Sequence, residues 1–164
     1  MAAPYKTGLD YYPRQTNFLS DRRFIKLRMN YGNRAVGMYE LILDLIYSEN
    51  GYFLSVVGDE RENLLLQLWD RYGRYDNMSL EETEQIFDDI CTAMFDREVY
   101  QRGVLTSKEI QRTYYSATLK RKHIVINKDI WLLDIEEMKA LGKSSSMLKN
   151  FDEAVYGIND VINL

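Results

Sequence analysis

Cysteine and histidine are nearly absent from this chain, which contains one of each, Cys91 and His123. A single cysteine cannot form an intrachain disulfide, which is typical of a reducing compartment, and we expect a cytoplasmic protein. One cysteine and one histidine also exclude zinc sites built from several such ligands. A Cys–His nucleophilic pair stays open, but Cys91 falls on the apolar stripe of a predicted helix, where buried thiols are inert.

Long apolar runs and nucleotide-binding glycine motifs are missing as well. No stretch of about 18 apolar residues occurs, which argues against a membrane span. The start, MAAPYKTGLDYYPR, lacks the apolar core of a signal peptide. Neither GxxxxGK[ST] nor GxGxxG occurs, so no known phosphate-binding loop is present. We therefore predict a protein that is not an enzyme, needs no cofactor and does not bind membranes.

Charge is unevenly distributed along the chain, whose net charge is −4. Residues 1–57 carry +2 and residues 101–130 carry +5, whereas residues 58–100 carry −8 and residues 131–164 carry −3. Such segregation predicts a protein with a basic face and an acidic face, provided that the two basic segments meet in the fold.

Apolar spacing predicts a mainly helical domain. Caps and stops favour helices over residues 21–31, 33–50, 59–73, 79–94 and 107–123, with a short strand within 51–57. We expect residues 1–8 to form a flexible leader, 9–134 a domain, and 135–164 a hinge with an amphipathic C-terminal helix. The apolar stripe of that last helix, which would mediate self-association, includes Phe151, Val155, Ile158 and Ile162.

The stretch SLEETEQIFDD, residues 79–89, contains five carboxylates and no basic residue. Ser79 and Glu82 have the spacing of a capping box, and Phe87 lies on an apolar stripe opposite the carboxylates. The pattern favours a solvated or partner-facing helix surface, with a divalent-metal site and acid–base catalysis as alternatives. The partner-facing carboxylates would be Glu81, Glu84, Asp88 and Asp89.

Residues 95–107 contain two short extended runs around a turn at Gln101–Gly103, which predicts a β-ribbon. A pair of helices followed by a β-ribbon is the plan of a winged helix-turn-helix. The predicted fold class is therefore mainly α with a small β-ribbon, as a winged helix-turn-helix domain followed by the C-terminal helix.

The runs GLDYYP, YGNRAVGMYELILDLIYSENGYFL and GVLTSKEIQ resemble the N-terminal domain of phage and prophage replisome organisers. Those proteins are in turn similar to DnaD-type primosome proteins. The resemblance covers about residues 8–123 and implies a winged-helix fold. It also implies a role in starting DNA replication, either on the template or between replisome proteins.

Three hypotheses of function follow. In the first, a replication-associated module binds single-stranded or non-specific duplex DNA weakly, through cations outside the acidic helix. The acidic helix would occupy the position of the recognition helix of a winged helix. The carboxylates of the acidic helix would repel phosphates. The candidate DNA contacts are Arg22, Arg23, Lys26, Arg28, Tyr100, Arg102, Lys108, Arg112, Lys120, Arg121 and Lys122.

The second hypothesis is a protein-interaction and oligomerisation module of a replication or phage assembly that does not bind DNA directly. Its acidic helix would dock on a basic partner, such as a replication protein. The third hypothesis, a carboxylate-metal nuclease, lacks a convincing set of ligands.

Overall fold

The computed structural model describes residues 6–121 and 124–142 of the chain. These described residues form seven α-helices and one two-stranded antiparallel sheet. The elements in chain order are α1 (Arg22–Tyr31), α2 (Asn33–Glu49), β1 (Leu54–Ser55), α3 (Asp59–Leu68), α4 (Leu80–Met94), α5 (Arg97–Gln101), β2 (Val104–Leu105), α6 (Lys108–Thr118) and α7 (Ile135–Leu141).

The first two helices form where the sequence predicts them. The side chain of Asp21 caps α1 by accepting a hydrogen bond from the backbone N–H of Arg23. Gly32 separates α1 from α2 at a φ of 65°, a left-handed conformation that favours glycine. Helix α2 is buried on most sides and contributes Met38, Ile42 and Ile46, which are fully buried, to the centre of the core.

Helices α3 and α4 are joined by a compact connection rather than a simple turn. Helix α3 continues into a π-helical turn, Trp69–Gly73, and then a short 3-10 helix, Arg74–Asp76. The Ser79–Glu82 capping box at the start of α4 is confirmed, with both reciprocal hydrogen bonds present. Phe87 is fully buried as predicted. The acidic stretch is therefore the outer side of a core helix.

The hairpin wing predicted for residues 95–107 does not form. Asp96 instead caps the short helix α5, because its side chain accepts a hydrogen bond from the backbone N–H of Val99. Strand β2 then pairs with β1, with Leu54 opposite Leu105 and Ser55 opposite Val104. The coarser prediction of a mainly helical fold with a small antiparallel β-ribbon is confirmed, but the ribbon joins distant parts of the chain.

Helix α7 falls within the segment that we predicted as a hinge. Asp134 and Glu137 form a second capping box at its start, and Met138 is buried in a small cluster with Tyr115, Ile126 and Leu133. This apolar cluster packs α7 onto α6. The described residues 135–142 therefore extend the folded domain beyond the boundary predicted at residue 134.

The chain before α1 is also packed onto the domain. Thr7 donates a side-chain hydrogen bond to the carbonyl oxygen of Glu49 at 2.8 Å, and the N–H of Leu9 bonds to the carbonyl of Tyr47 at 2.7 Å. Gly8 and Leu9 are buried. Residues 6–8 of the predicted leader thus contact the end of α2, and its residues 1–5 lie outside the described part of the chain.

Within the described ranges, no helix combines the length and the apolar character that crossing a bilayer requires.

Candidate nucleic-acid and partner interface

Helix α1 carries three exposed cations, of which Arg22 and Lys26 form a cationic face and Arg28 lies on another side, since residues two apart on a helix do not face each other. Arg22, Lys26 and Arg28 are exposed, and their side chains have no hydrogen-bond or ion-pair partner among the described residues. The helix contains no acidic residue, so nothing on α1 itself neutralises them. Three of the predicted DNA contacts are therefore free to bind an external anion.

Two large apolar side chains lie among these cations. Met29 is 81% exposed and Ile25 is 40% exposed. Both point away from the buried stripe of α1, which contains Phe24 and Leu27. A helix face that mixes cations with exposed apolar groups can contact a protein as well as a phosphate backbone.

Arg23 faces a different direction from its neighbours. Its guanidinium forms two hydrogen bonds with the carboxylate of Asp21, at 3.1 and 2.6 Å. The guanidinium of Arg23 lowers the pKa of Asp21 to about 2. This intrachain pair reduces the share of the Arg23 charge that is available to a ligand.

A cleft of about 490 Å³ lies beside the start of α1. It is formed by residues 12–23, by α2 and by the first turns of α6. Arg23 from the first basic segment and Lys108 and Arg112 from the second line this same cleft. The fold therefore brings the two basic segments together, which the sequence could not determine.

The charges of the cleft are mostly paired within the chain. Arg14 contacts Glu40 at 2.5 Å and stacks over the ring of Phe18 at 3.7 Å. Gln15 donates a hydrogen bond to Glu109 at 2.5 Å. The cleft is consequently close to electrical neutrality, and aromatic and apolar side chains line it together with the polar groups.

Lys108 and Arg112 share one carboxylate. The Nζ of Lys108 lies 3.0 Å from Oε2 of Glu137, and Nη2 of Arg112 lies 2.6 Å from its Oε1. A backbone hydrogen bond from Asp134, followed by the bonds from the two cations, lowers the pKa of Glu137 to about 2. The spacing of Asp134 and Glu137 matches a capping box, which is the one sequence signal that could have pointed to Glu137.

Other predicted DNA contacts have structural partners. Arg102 donates to the carbonyl oxygen of Asp129 at 2.5 Å. Arg121 donates to the carbonyl oxygens of Lys6 and Gly8 at 2.9 and 2.7 Å. Lys120 is exposed and has no side-chain partner among the described residues, whereas Lys122 lies outside them.

Tyr100 does not present its hydroxyl to solvent. It donates a hydrogen bond to Oδ1 of Asp88 at 2.9 Å, and Arg61 binds the same oxygen at 2.7 Å. Burial raises the pKa of Tyr100 to about 12. Aromatic side chains can stack on the bases of a single strand. Tyr115 of the second basic segment is buried near Trp131, and Tyr100 is only partly exposed, so neither ring is freely presented for stacking.

Three of the four partner-facing carboxylates of α4 are hydrogen-bonded within the chain. Arg61 of α3 binds Glu84 at 3.1 Å as well as Asp88, and Tyr31 of α1 donates its hydroxyl to Asp89. Glu81 is exposed without a side-chain partner in the described ranges. The acidic helix thus helps to hold α1, α3 and α5 in place, a role that its sequence does not reveal because the partners are distant in the chain.

Cys91 is fully buried, and burial raises the pKa of its thiol. The other member of the possible nucleophilic pair, His123, lies outside the described residues. So do Phe151, Val155, Ile158 and Ile162 of the predicted terminal helix. Within the described part, no three His, Cys, Asp or Glu side chains converge in a way that could hold a metal ion.

The described residues define a small helical domain with a β1–β2 ribbon, a cationic helix face and an adjoining cleft. The chain belongs to the Lin1244/Lin1753-like, N-terminal family, whose model matches residues 11–110.

One relative is the uncharacterized phage-related protein Lin1244/Lin1753 of Listeria innocua serovar 6a. It is 26% identical to this chain over 140 residues, which are 84% of this chain and 43% of that protein. The chain thus spans less than half the length of this relative. No solved structure matches the chain.

Proposed function

We propose that this chain is a DNA-replication-associated module of a phage-related protein that binds nucleic acid weakly through cations outside α4. The observation that carries the proposal is the group of unpartnered cations on α1, namely Arg22, Lys26 and Arg28. Cations that are free in the protein can replace the counterions condensed on phosphates, which is the main source of non-specific affinity.

The cleft beside α1 adds further cations to this proposed nucleic-acid contact surface. Arg23 follows Arg22 directly and lines the cleft together with Lys108 and Arg112. A nucleic-acid backbone on α1 can therefore continue towards α6 without crossing the carboxylates of α4. The phage-related name of the Listeria relative is consistent with this setting. The link to replication rests on the resemblance to replisome organisers.

We also propose that the domain is a variant of the winged helix-turn-helix fold. Strand β1 follows the first two helices, α3 and α4 come next, and β2 returns to pair with β1. A winged helix has strands in these places, and α5 stands where the hairpin wing would be. The carboxylates of α4 would oppose entry of that helix into a major groove, so α1 is the proposed contact instead.

Fluorescence anisotropy with a labelled single strand and a labelled duplex tests the proposal. With up to three phosphate contacts, log K against log salt should have a slope of roughly −2 for single strands and −3 for duplex. Replacing Arg22, Lys26 and Arg28 with Ala should flatten the slope. Replacing Arg71 and Arg97, which are exposed elsewhere, should change it less. Absence of binding at low salt would reject the proposal.

A second candidate is a protein-interaction module, which the exposure of Met29 and Ile25 favours. Apolar groups among cations suit an acidic amphipathic partner or self-association. Light scattering should then show association that Ile25→Ser with Met29→Ser reduces. If association instead depends on residues 144–164, their deletion should reduce it and leave the domain folded. A monomeric protein throughout would contradict self-association.

A further inference from the structure

Lys108 and Arg112 lie one turn apart on α6 and reach the same carboxylate. Each cation contacts a different oxygen of Glu137, at 3.0 and 2.6 Å. The side chains of the two cations are 51% and 45% exposed, so solvent reaches both of them. The geometry is that of two cations binding the two oxygens of one oxyanion.

A phosphodiester has two non-bridging oxygens that can replace the two oxygens of a carboxylate. Arginine binds both kinds of group through its planar N–H donors, and lysine adds a point charge. The cation pair carries one more charge than the single carboxylate compensates. Lys108 and Arg112 also line the cleft to which Arg23 belongs, beside the cationic face of α1.

We infer that Lys108 and Arg112 form an oxyanion site for a nucleic-acid phosphate, and that Glu137 occupies this site in the structure and competes with that phosphate. The inference rests on the proposed function, because it adds a second contact and a means of regulation to the same footprint. Glu137 is on α7 and is therefore tethered near the site, which favours its carboxylate over a ligand from solution.

Two observations distinguish the proposed oxyanion site from an ion pair whose only role is to hold α7 against α6. Met138 is buried in the apolar cluster that packs α7 onto α6, so α7 has a contact with α6 that does not depend on the ion pairs. About half of the side-chain surface of Lys108 and of Arg112 is exposed, so a ligand from solution can reach both cations. Removing the charge should consequently expose the cations without releasing α7.

The test compares Glu137→Gln with Glu136→Gln in the full chain. Glutamine can keep the capping box with Asp134, so the start of α7 is preserved. Glu136 is next to Glu137, loses the same charge, and contacts only Lys139 at 3.2 Å among the described residues. The comparison therefore separates the specific site from a general reduction of negative charge.

We expect Glu137→Gln to bind a labelled single-stranded oligonucleotide on the order of fivefold more tightly than wild type at low salt, the scale of one exposed ion pair. The salt slope should steepen by about 0.7 for each cation that becomes engaged. Glu136→Gln should have a smaller effect on both quantities. Adding Lys108→Ala and Arg112→Ala to Glu137→Gln should abolish the gain. Circular dichroism of Glu137→Gln should match that of wild type, so that the gain can be assigned to the exposed cations and not to unfolding.

Each of the remaining outcomes would reject a different claim: the oxyanion site, its nucleic-acid occupant or the proposed function. If the oligonucleotide binds wild type through α1 but Glu137→Gln and Glu136→Gln behave alike, the oxyanion site is rejected and the proposed function stands. If inorganic phosphate raises the melting temperature of Glu137→Gln at matched ionic strength without any gain for the oligonucleotide, the nucleic-acid occupant is rejected. If no variant binds the oligonucleotide, the proposed function itself fails.

Discussion

Arg61 and Asp88 bind each other across the interface of α3 and α4, with Nη2 of the arginine 2.7 Å from Oδ1 of the aspartate. The same guanidinium contacts Glu84 at 3.1 Å and lies 4.9 Å from the centre of the Phe87 ring. Tyr100 of α5 also donates to Asp88. One aspartate of α4 therefore binds a side chain from each of two neighbouring helices, α3 and α5.

Asp88→Asn should lower the free energy of unfolding by roughly 1–2 kcal/mol, because it weakens hydrogen bonds from Arg61 and Tyr100. Glu81→Gln on the same helix makes the same charge change without losing a partner and should stay within about 0.5 kcal/mol of wild type. Urea unfolding followed by circular dichroism measures both. Equal effects would show that the Arg61 contacts do not stabilise the domain.

Phe87→Ala should be more damaging than either charge change. The ring is fully buried, and its removal should cost about 3–5 kcal/mol through lost burial and the cavity left behind. The same urea titration measures this loss. A cost below that of Asp88→Asn would mean that the buried and exposed faces of α4 are assigned incorrectly.

Arg121→Ala should destabilise the docking of the residues before α1. Its guanidinium binds the carbonyl oxygens of Lys6 and Gly8, and we expect a loss of roughly 1–2 kcal/mol. Hydrogen exchange at the Leu9 amide should become faster. The adjacent Lys120→Ala is the matched control and should leave both stability and exchange unchanged. Similar exchange in the two variants would contradict the contact.

Cys91 should react with thiol reagents only when the domain opens. The side chain is fully buried, and burial raises its pKa, so little thiolate forms in the native state. At mildly alkaline pH, the labelling rate with iodoacetamide should increase with urea in parallel with unfolding. Rapid stoichiometric labelling of the native protein would show that α4 is accessible from the core side.

Asp21→Asn should reduce stability at neutral pH but not in strong acid. The folded-state pKa of about 2 lies below the ordinary value of 3.8, so Asp21 stabilises the fold above about pH 4. That contribution, about 1 kcal/mol for this partly exposed pair, is lost as pH falls through 2. Unfolding curves of both proteins at several pH values measure it. A constant difference would exclude the charged Asp21–Arg23 pair as its source.

Local features of the sequence predicted the helices well. Asp21, Gly32 and the Ser79–Glu82 capping box act within one turn of chain, and the buried position of Phe87 follows from spacing alone. These features require only contacts between neighbours in sequence, so they can be read without knowing the fold. The same kind of signal, Asp134 with Glu137, was present at the start of α7.

Only the tertiary structure showed which charged side chains of the chain bind each other. Arg61 and Asp88 are 27 positions apart, Lys108 and Glu137 are 29 apart, and Arg121 reaches Lys6 over 115 positions. Residue type showed that these side chains are charged, but only packing decided which charges meet. For the same reason β2 pairs with distant β1 instead of forming a local hairpin.

The sequence alone determined the mainly helical class, the places of α1–α4 and α6, and the segregation of charge, because each depends on local spacing and composition. The tertiary structure decided that the two basic segments share a cleft. It also decided which predicted cations remain free and which are held by intrachain acceptors. A free cation and a paired one look identical in sequence, since the difference lies in the distance to an oxygen elsewhere in the chain.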